Sequence, residues 1–431
     1  MLFEIVTTSI MGGIAVKAFL KQKGIVTNDS GKIQRIMSLS GLNVKDGKDT
    51  LTTQLISTIQ HEWGWEYKYR IPLGRSFNDY LSKIDAIQDG LNNRRRSLTV
   101  GDLKQLKLDK NILNNIRDLQ EKKLKDQKEV EIEFDGLLKI RVYDEPLPKK
   151  VAFVPGDGWK VPIGLTRNKN EFRFHDFEKI PHFVLGGATR YGKSNVINVI
   201  INSLLQSEPD NVHFFLIDLK GGVELCDYEN IKQVDSIAYE PEEALKTLET
   251  AYNRMKEIQK ELKRRGKKKV QEANIKDRYF IIVDEVGELN PSEAIDNDEK
   301  KLKLACQKYM SQIARLGAGL GFRLIVATQY PLGTVVNNQI KQNADAKLCF
   351  RVQSEVASRV VLDSGGAEKL PQIVGRAIYQ TADKREILQT PLITEEIIKE
   401  TTLPHIIEKE EHREEAIVEE GRSDSLTFEE A

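Results

Sequence analysis

The stretch PHFVLGGATRYGKS, residues 181–194, decides the fold. An apolar run over residues 182–185 ends in two glycines, and the residues Gly187, Ala188, Thr189, Arg190, Tyr191, Gly192, Lys193 and Ser194 then fit G-x-x-x-x-G-K-S. The residues that follow, from Asn195 to position 205, carry the apolar spacing of a buried helix. Strand, glycine-bounded loop and helix, in that order, form the setting a phosphate-binding loop needs. Glycines let the backbone curl until successive N–H groups face phosphate oxygens, and the helix N-terminus adds partial positive charge. In this pattern Lys193 reaches the β- and γ-phosphates and the Ser194 hydroxyl ligates Mg²⁺, so the expected cofactors are ATP and Mg²⁺. A chance match in a glycine-rich turn would supply neither the strand before nor the helix after.

Working outward, residues 151–404 alternate strands with helices, the signature of an α/β domain with a parallel sheet. Strands are expected at 212–222 (an apolar run ending in polar residues and paired glycines), 279–285, 323–329 and 347–352, and helices at 241–263 and 300–316. The strand at 279–285 ends in Asp284 and Glu285, at the carboxyl end where ligands gather in open α/β sheets. Asp284 is expected in the Mg²⁺ shell, and Glu285 to orient and deprotonate the attacking water. As a pair such carboxylates also cap helices, but here they follow a phosphate loop. Gln329 ends a neighbouring strand, where a neutral amide can sense a γ-phosphate.

Length and composition set the outer bounds. At 431 residues there is room for two or three domains, with 40% hydrophobic residues to fill their cores. Lysine plus arginine and aspartate plus glutamate each number 65, yet residues 405–431 carry a formal charge of −7 and leave the rest at +7. That basic body is compatible with a polyanionic partner. The three cysteines, Cys226, Cys306 and Cys349, are too scattered for a disulfide framework or a zinc site, which points to a reducing, cytoplasmic compartment. Residues 1–24 contain an apolar stretch, 2–20, that is short of the roughly 20 apolar residues of a full span. It reads either as a membrane anchor or as a helix lying on a surface. Residues 25–150 read as a small α+β domain: helical spacing at 49–60, a strand at 66–73, a helix capped by Ser76 and running to 91, and a hairpin over 129–142 turning at Asp135 and Gly136. The basic stretches 93–96 and 104–128 read as solvated faces or as a nucleic-acid contact, Pro146 and Pro148 mark a boundary, and the acidic tail 405–431 is expected to be disordered.

Six segments, PHFVLGGATRYGKSN, FFLIDLKGGVELCDY, FIIVDEVGEL, GFRLIVATQYP, IKQNADAKLCFRV and SRVVLDSGGAEKL, resemble in order and spacing the motor domain of FtsK/SpoIIIE-type DNA translocases, and the likeness covers about residues 161–394. The resemblance implies a RecA-like fold, ATP hydrolysis, a hexameric ring of identical subunits, and double-stranded DNA as the substrate. It matches Lys193 and Ser194 to the family's phosphate loop, Asp284 and Glu285 to its carboxylates, and Gln329 to its sensor glutamine. It also matches Asp218, Lys220 and Gly221 to an IDPKG-like strand end, with Leu219 where proline is usual, and Ser358, Arg359, Leu362 and Asp363 to an SR..LD segment. Arg190 and Tyr191 stand where the family has Gly-Ser, Tyr330 where arginine is usual, and Ala318 where another arginine is common. Candidates for an arginine acting on a neighbour's nucleotide are Arg351 and Arg359, with Arg315 behind them. After residue 394 too little remains for the winged helix of the cell-division members, and the N-terminal module is small. The layout resembles the compact translocases of conjugative elements, plasmids and phages. A related ring ATPase that moves protein in a secretion system is the alternative, although those usually carry several motor domains in one chain.

Overall fold

The computed structural model describes residues 29–92, 128–167, 171–329 and 337–407. The chain divides into two compact units, Met1–Pro148 with Thr166–Glu171, and Lys149–Leu165 with Phe172–Ala431. The apolar segment 2–20, the basic stretches 93–96 and 104–127 and the acidic residues 408–431 lie outside the described residues. No helix among the described residues is long and apolar enough to cross a membrane.

In the first unit, helix Ser30–Leu39 precedes a short hairpin of β1 (Val44–Asp46) and β2 (Asp49–Leu51). Strands β3 (Gln54–His61), β4 (Gly64–Arg70), β5 (Glu129–Phe134) and β6 (Leu138–Tyr143) form an antiparallel sheet in the order β3-β4-β6-β5. Tyr67, Tyr69, Leu138 and Ile140 on its inner face pack with Ile33 and Met37 and with Ile87 and Leu91 of helix Ile84–Asn92. The sequence expectation of a helix over 49–60 is therefore wrong; this region is strand. Its alternation is interrupted by a register shift between Leu55 and Ser57, and a β-bulge of that kind breaks the period of two by which a strand is recognised. The helix expected from Ser76 to residue 91 is two helices, Phe77–Leu81 and Ile84–Asn92. Ser76 does cap the first, through a box in which the Asp79 carboxylate accepts the Ser76 backbone N–H at 2.7 Å.

The second unit is built on one ten-stranded sheet. Its strands are β7 (Lys160–Thr166), β8 (Phe172–Asp176), β9 (Phe183–Gly186), β10 (Val212–Asp218), β11 (Val234–Ala238), β12 (Arg278–Asp284), β13 (Phe322–Thr328), β14 (Ala346–Phe350), β15 (Arg376–Gln380) and β16 (Arg385–Gln389). Their order is β11-β10-β12-β13-β9-β14-β15-β16-β7-β8. The run from β11 to β14 is parallel, and β15 and β16 extend it antiparallel. Helix Lys193–Ser207 covers one face, burying Val196, Ile197, Val199, Ile200, Ile201, Leu204 and Leu205 at roughly 1.5–3 kcal/mol each. Helices Pro241–Arg264 and Asn297–Leu316 cover the other. The first of these starts on Pro241, with Glu240 and Glu243 as a capping box, and ends in Lys263 and Arg264, each charge complementing the helix dipole. Residues 405–407, which composition assigns to the tail, are packed in this unit: Ile406 bridges Ile231, and the Ile407 N–H donates to the Asn230 carbonyl at 2.8 Å.

Candidate nucleotide site

The parallel strands align their carboxyl ends in a row. Asp218 lies opposite Asp284, Val283 opposite Val326 and Thr328 opposite Gly186. β13 thus stands between the strand that launches the phosphate loop and the strand that carries the two carboxylates.

The loop is stapled to both neighbours of β9. The Gly187 N–H donates to the Thr328 carbonyl at 3.2 Å, and the Ala188 N–H to the Arg351 carbonyl at 3.0 Å. Gly187 (φ 156°) has no room for a side chain, since a Cβ there would lie 2.6 Å from the Phe350 Cβ. Gly192 (φ 113°) opens helix Lys193–Ser207, whose first intrahelical bond runs from the Val196 N–H to the Gly192 carbonyl at 3.1 Å. The amides before Val196 are therefore offered to an acceptor outside the helix. Exposed Arg190 holds a left-handed φ of 71°, a strained backbone of the kind found at ligand sites. Tyr191 is half-buried against the core, and its carbonyl accepts the Gly375 N–H at 2.9 Å. Asn195 uses its side chain on the protein itself, donating to the Pro391 carbonyl at 2.6 Å and accepting the Ile393 N–H at 3.1 Å. Only its backbone is left for a ligand.

Lys193 and Asp284 are buried and hydrogen-bonded to each other, and the Lys193 Nζ lies 3.8 Å from the Glu285 Oε2. Glu285 has a left-handed φ of 64°. Its carboxylate accepts the Thr328 hydroxyl at 2.9 Å and the Gln329 N–H at 2.9 Å. Burial pushes the Glu285 carboxyl above the usual carboxylate range, against the opposing pull of Lys193 and of these hydrogen bonds. The side chain of Gln329, itself buried, accepts the Thr189 hydroxyl at 2.8 Å, which ties the phosphate loop to the end of β13. The second oxygen of Asp284, Oδ2, is buried without a partner. With the Ser194 hydroxyl in the first helical turn it supplies hard oxygen donors of the sort Mg²⁺ prefers. The residues present fit that ion.

Lys193, Asp284, Glu285 and Gln329 are thus brought together with the loop. The arginines are not joined to them by side-chain contacts. The Arg351 side chain turns to the Leu370 carbonyl, although its backbone abuts the loop, and exposed Arg359 pairs with Glu355 at 2.6 Å. Arg315, also exposed, lies on a groove of helix Asn297–Leu316. Asp218 is fully buried and accepts the backbone N–H groups of Lys220, Glu224 and Leu225, which fixes the loop after β10. Ser358 likewise braces a turn, donating to the Ser364 carbonyl and accepting the Ala367 N–H. Two contributors had no distinct sequence signal: Thr328, which orients Glu285, and Gly375, which buttresses Tyr191.

A glycine-cornered anion cradle with a lysine and two strand-end carboxylates on a mostly parallel RecA-like sheet defines a P-loop ATPase domain. Residues 157–279 match the FtsK/SpoIIIE family. The DNA translocase FtsK of Chlorobaculum tepidum is 32% identical over 254 residues, covering 54% of this chain and 30% of that protein. The DNA translocase SpoIIIE of Bacillus subtilis is 31% identical over 285 residues, covering 61% and 34%. The chain thus spans about a third of the length of these relatives. In fold it is similar to the pCW3 conjugation coupling protein TcpA solved with ATPγS (TM-score 0.56, 21% identity, 85% of this chain and 95% of that one). It is also similar in fold to the cytoplasmic domain of the type VII secretion ATPase EccC of Thermomonospora curvata (TM-score 0.50, 22% identity, 61% and 32%).

Proposed function

We propose that this protein hydrolyses ATP and uses the energy to move double-stranded DNA, working as a ring of identical subunits in the transfer or segregation of mobile-element DNA. The observation that carries the reading is the convergence of Lys193, Asp284, Glu285 and Gln329 on one phosphate cradle. A nucleotide-binding module without turnover would have no use for a carboxylate held as Glu285 is. On ATP entry the Lys193 ammonium exchanges Asp284 for the β- and γ-phosphate oxygens, while within the loop Gly187–Asn195 the amides not already bonded among the described residues, those of Thr189, Arg190 and Gly192 to Asn195, hold the rest of the chain of phosphates. Mg²⁺, held by Ser194 and Asp284, would neutralise phosphate charge. Glu285 takes the proton of the attacking water, a role suited by a carboxyl of raised proton affinity. Gln329 reads the γ-phosphate through its amide and passes the state to Glu285 through its own backbone N–H. Arg351 and Arg359 are the side chains offered to a neighbouring subunit's nucleotide.

The choice of duplex DNA rests on the DNA translocases to which the sequence is similar. The mobile-element role rests on the near-complete overlap with a conjugation coupling protein. A cytoplasmic setting is supported by the three free cysteines, and residues 2–20 are the candidate membrane attachment. The deciding experiment measures ATP turnover with and without linear duplex DNA. Stimulation that disappears in Lys193→Ala and Glu285→Gln is expected, with Glu285→Gln slowing turnover by about 10²- to 10⁴-fold while still binding ATP. A rate indifferent to duplex at low salt, together with retention of a secreted protein substrate, would instead favour the secretion-type motor.

A further inference from the structure

Residues 300–344 contain no aspartate or glutamate, in a chain where 65 of 431 residues are acidic. The structure gathers part of that stretch into a groove of about 410 Å³ along helix Asn297–Leu316, closed on the far side by residues at the start of helix Asn338–Asn343. Lys308, Ser311, Gln312 and Arg315 line it from the helix and Gln339 from across, and no carboxylate among the described residues takes part. Neither Lys308 nor Arg315 forms an ion pair among the described residues, whereas Lys303 and Lys341 nearby are paired with Glu299 and Asp363. Ser311 is 7% exposed, and its hydroxyl is buried in the groove wall with no hydrogen-bond partner.

From this we infer that the groove is a contact for the phosphodiester backbone of duplex DNA; the inference rests on the proposed motor function and names where the duplex is held. Two unneutralised cations spaced along a helix, interleaved with amide and hydroxyl groups, make up the contact set that grips phosphates without reading bases. A protein partner would call for a desolvated apolar or aromatic centre, and among the described residues the groove offers a single aliphatic side chain, Leu304. The same helix is tied to the catalytic strand's exit: the Gln307 amide donates to the carbonyl of Leu289, in the turn that follows Glu285, at 3.3 Å. Grip on the duplex and the state of Glu285 are therefore linked by a short rigid path.

The test uses the full chain and a fluorescein-labelled linear duplex, with affinity followed across a potassium chloride series. Replacing Lys308→Glu together with Gln312→Glu is expected to weaken binding by about tenfold or more near 0.1 M salt and to flatten the logarithmic salt slope by about one, for the one cation removed. Gln312→Lys is expected to tighten binding and steepen the slope by about one, a gain that a damaged fold could not produce. An unchanged affinity and slope in the double variant, with its melting temperature preserved, would overturn the assignment. So would a change confined to subunit assembly, which would mark the groove as a contact between neighbours. If the unmodified chain fails to bind duplex at all, the motor reading is at fault and not the location of this site.

Discussion

Acid should destabilise the ATPase unit through two buried histidines. His175 and His182 flank the start of β9, the strand that delivers the phosphate loop. His175 is fully buried and stacks on Phe183 with ring centres 4.8 Å apart. One ring nitrogen donates to the Ile180 carbonyl at 2.9 Å and the other accepts the Tyr379 hydroxyl at 2.9 Å, an arrangement that suits the neutral imidazole. His182 accepts the Leu324 N–H at 3.0 Å. Burial, with the Arg323 guanidinium adding to it, lowers both imidazoles from 6.5 to about 3.

The sign follows from linkage. A group whose folded-state proton affinity is depressed contributes stability in full above its unfolded value and loses it as pH falls towards the folded one. Between pH 6.5 and 3 the unfolded chain binds two protons that the folded unit refuses, so unfolding free energy falls by about 2.7 kcal/mol per pH unit. From pH 7 to pH 5 the loss is about 4 kcal/mol, a large part of the roughly 5–15 kcal/mol that hold a domain together. Glu178 is a late reserve: bonded to Arg278 and set among Arg323 and Gln271, it stays ionised down to about 2, so its contribution fades only below about pH 4.5. Urea unfolding followed by Trp159, with Trp63 and Trp65 changed to phenylalanine so that it reports alone, measures the slope. His175→Gln and His182→Gln should each halve it, whatever either costs at neutral pH. A stability flat between pH 7 and pH 5, or a slope untouched by the double replacement, refutes the reasoning.

Two further perturbations probe the cradle. Thr189→Val removes the hydroxyl that Gln329 accepts; turnover should fall by roughly tenfold, about 1.4 kcal/mol for one lost hydrogen bond, with ATP affinity little changed and Thr189→Ser restoring the rate. Gly187→Ala drives a Cβ against Phe350 and should cost about 1–3 kcal/mol of stability and abolish nucleotide binding, which calorimetric titration with ATPγS would register.

The chemistry was legible in the sequence because each piece of it sits at a strand end announced by a run of buried apolar residues. Gly187 and Gly192 declared the loop, and Asp284 and Glu285 declared the end of β12 by following FIIV. The antiparallel strands β7, β8, β15 and β16 escaped notice: β7 is interrupted by Pro162 and a register shift before Gly164, and β16 is only five residues long. What no single-strand pattern can state is neighbour order. Adjacent strands lie about 4.8 Å apart, so an arrangement with β13 interposed sets the phosphate-loop strand and the carboxylate strand nearly 10 Å from each other. Lys193 has a side chain long enough to cross that gap and close on Asp284, and Glu285 must turn back over β13 to reach the hydroxyl of Thr328 and the amide of Gln329. The left-handed backbone at Glu285 is the conformation that accompanies this turn. The interposed strand is thereby the physical reason the glutamine reaches both sides: it stands between the cradle and Glu285, bonded to Thr189 on one side and to Glu285 on the other, and a direct pairing of β9 with β12 would leave Gln329 bonded to neither.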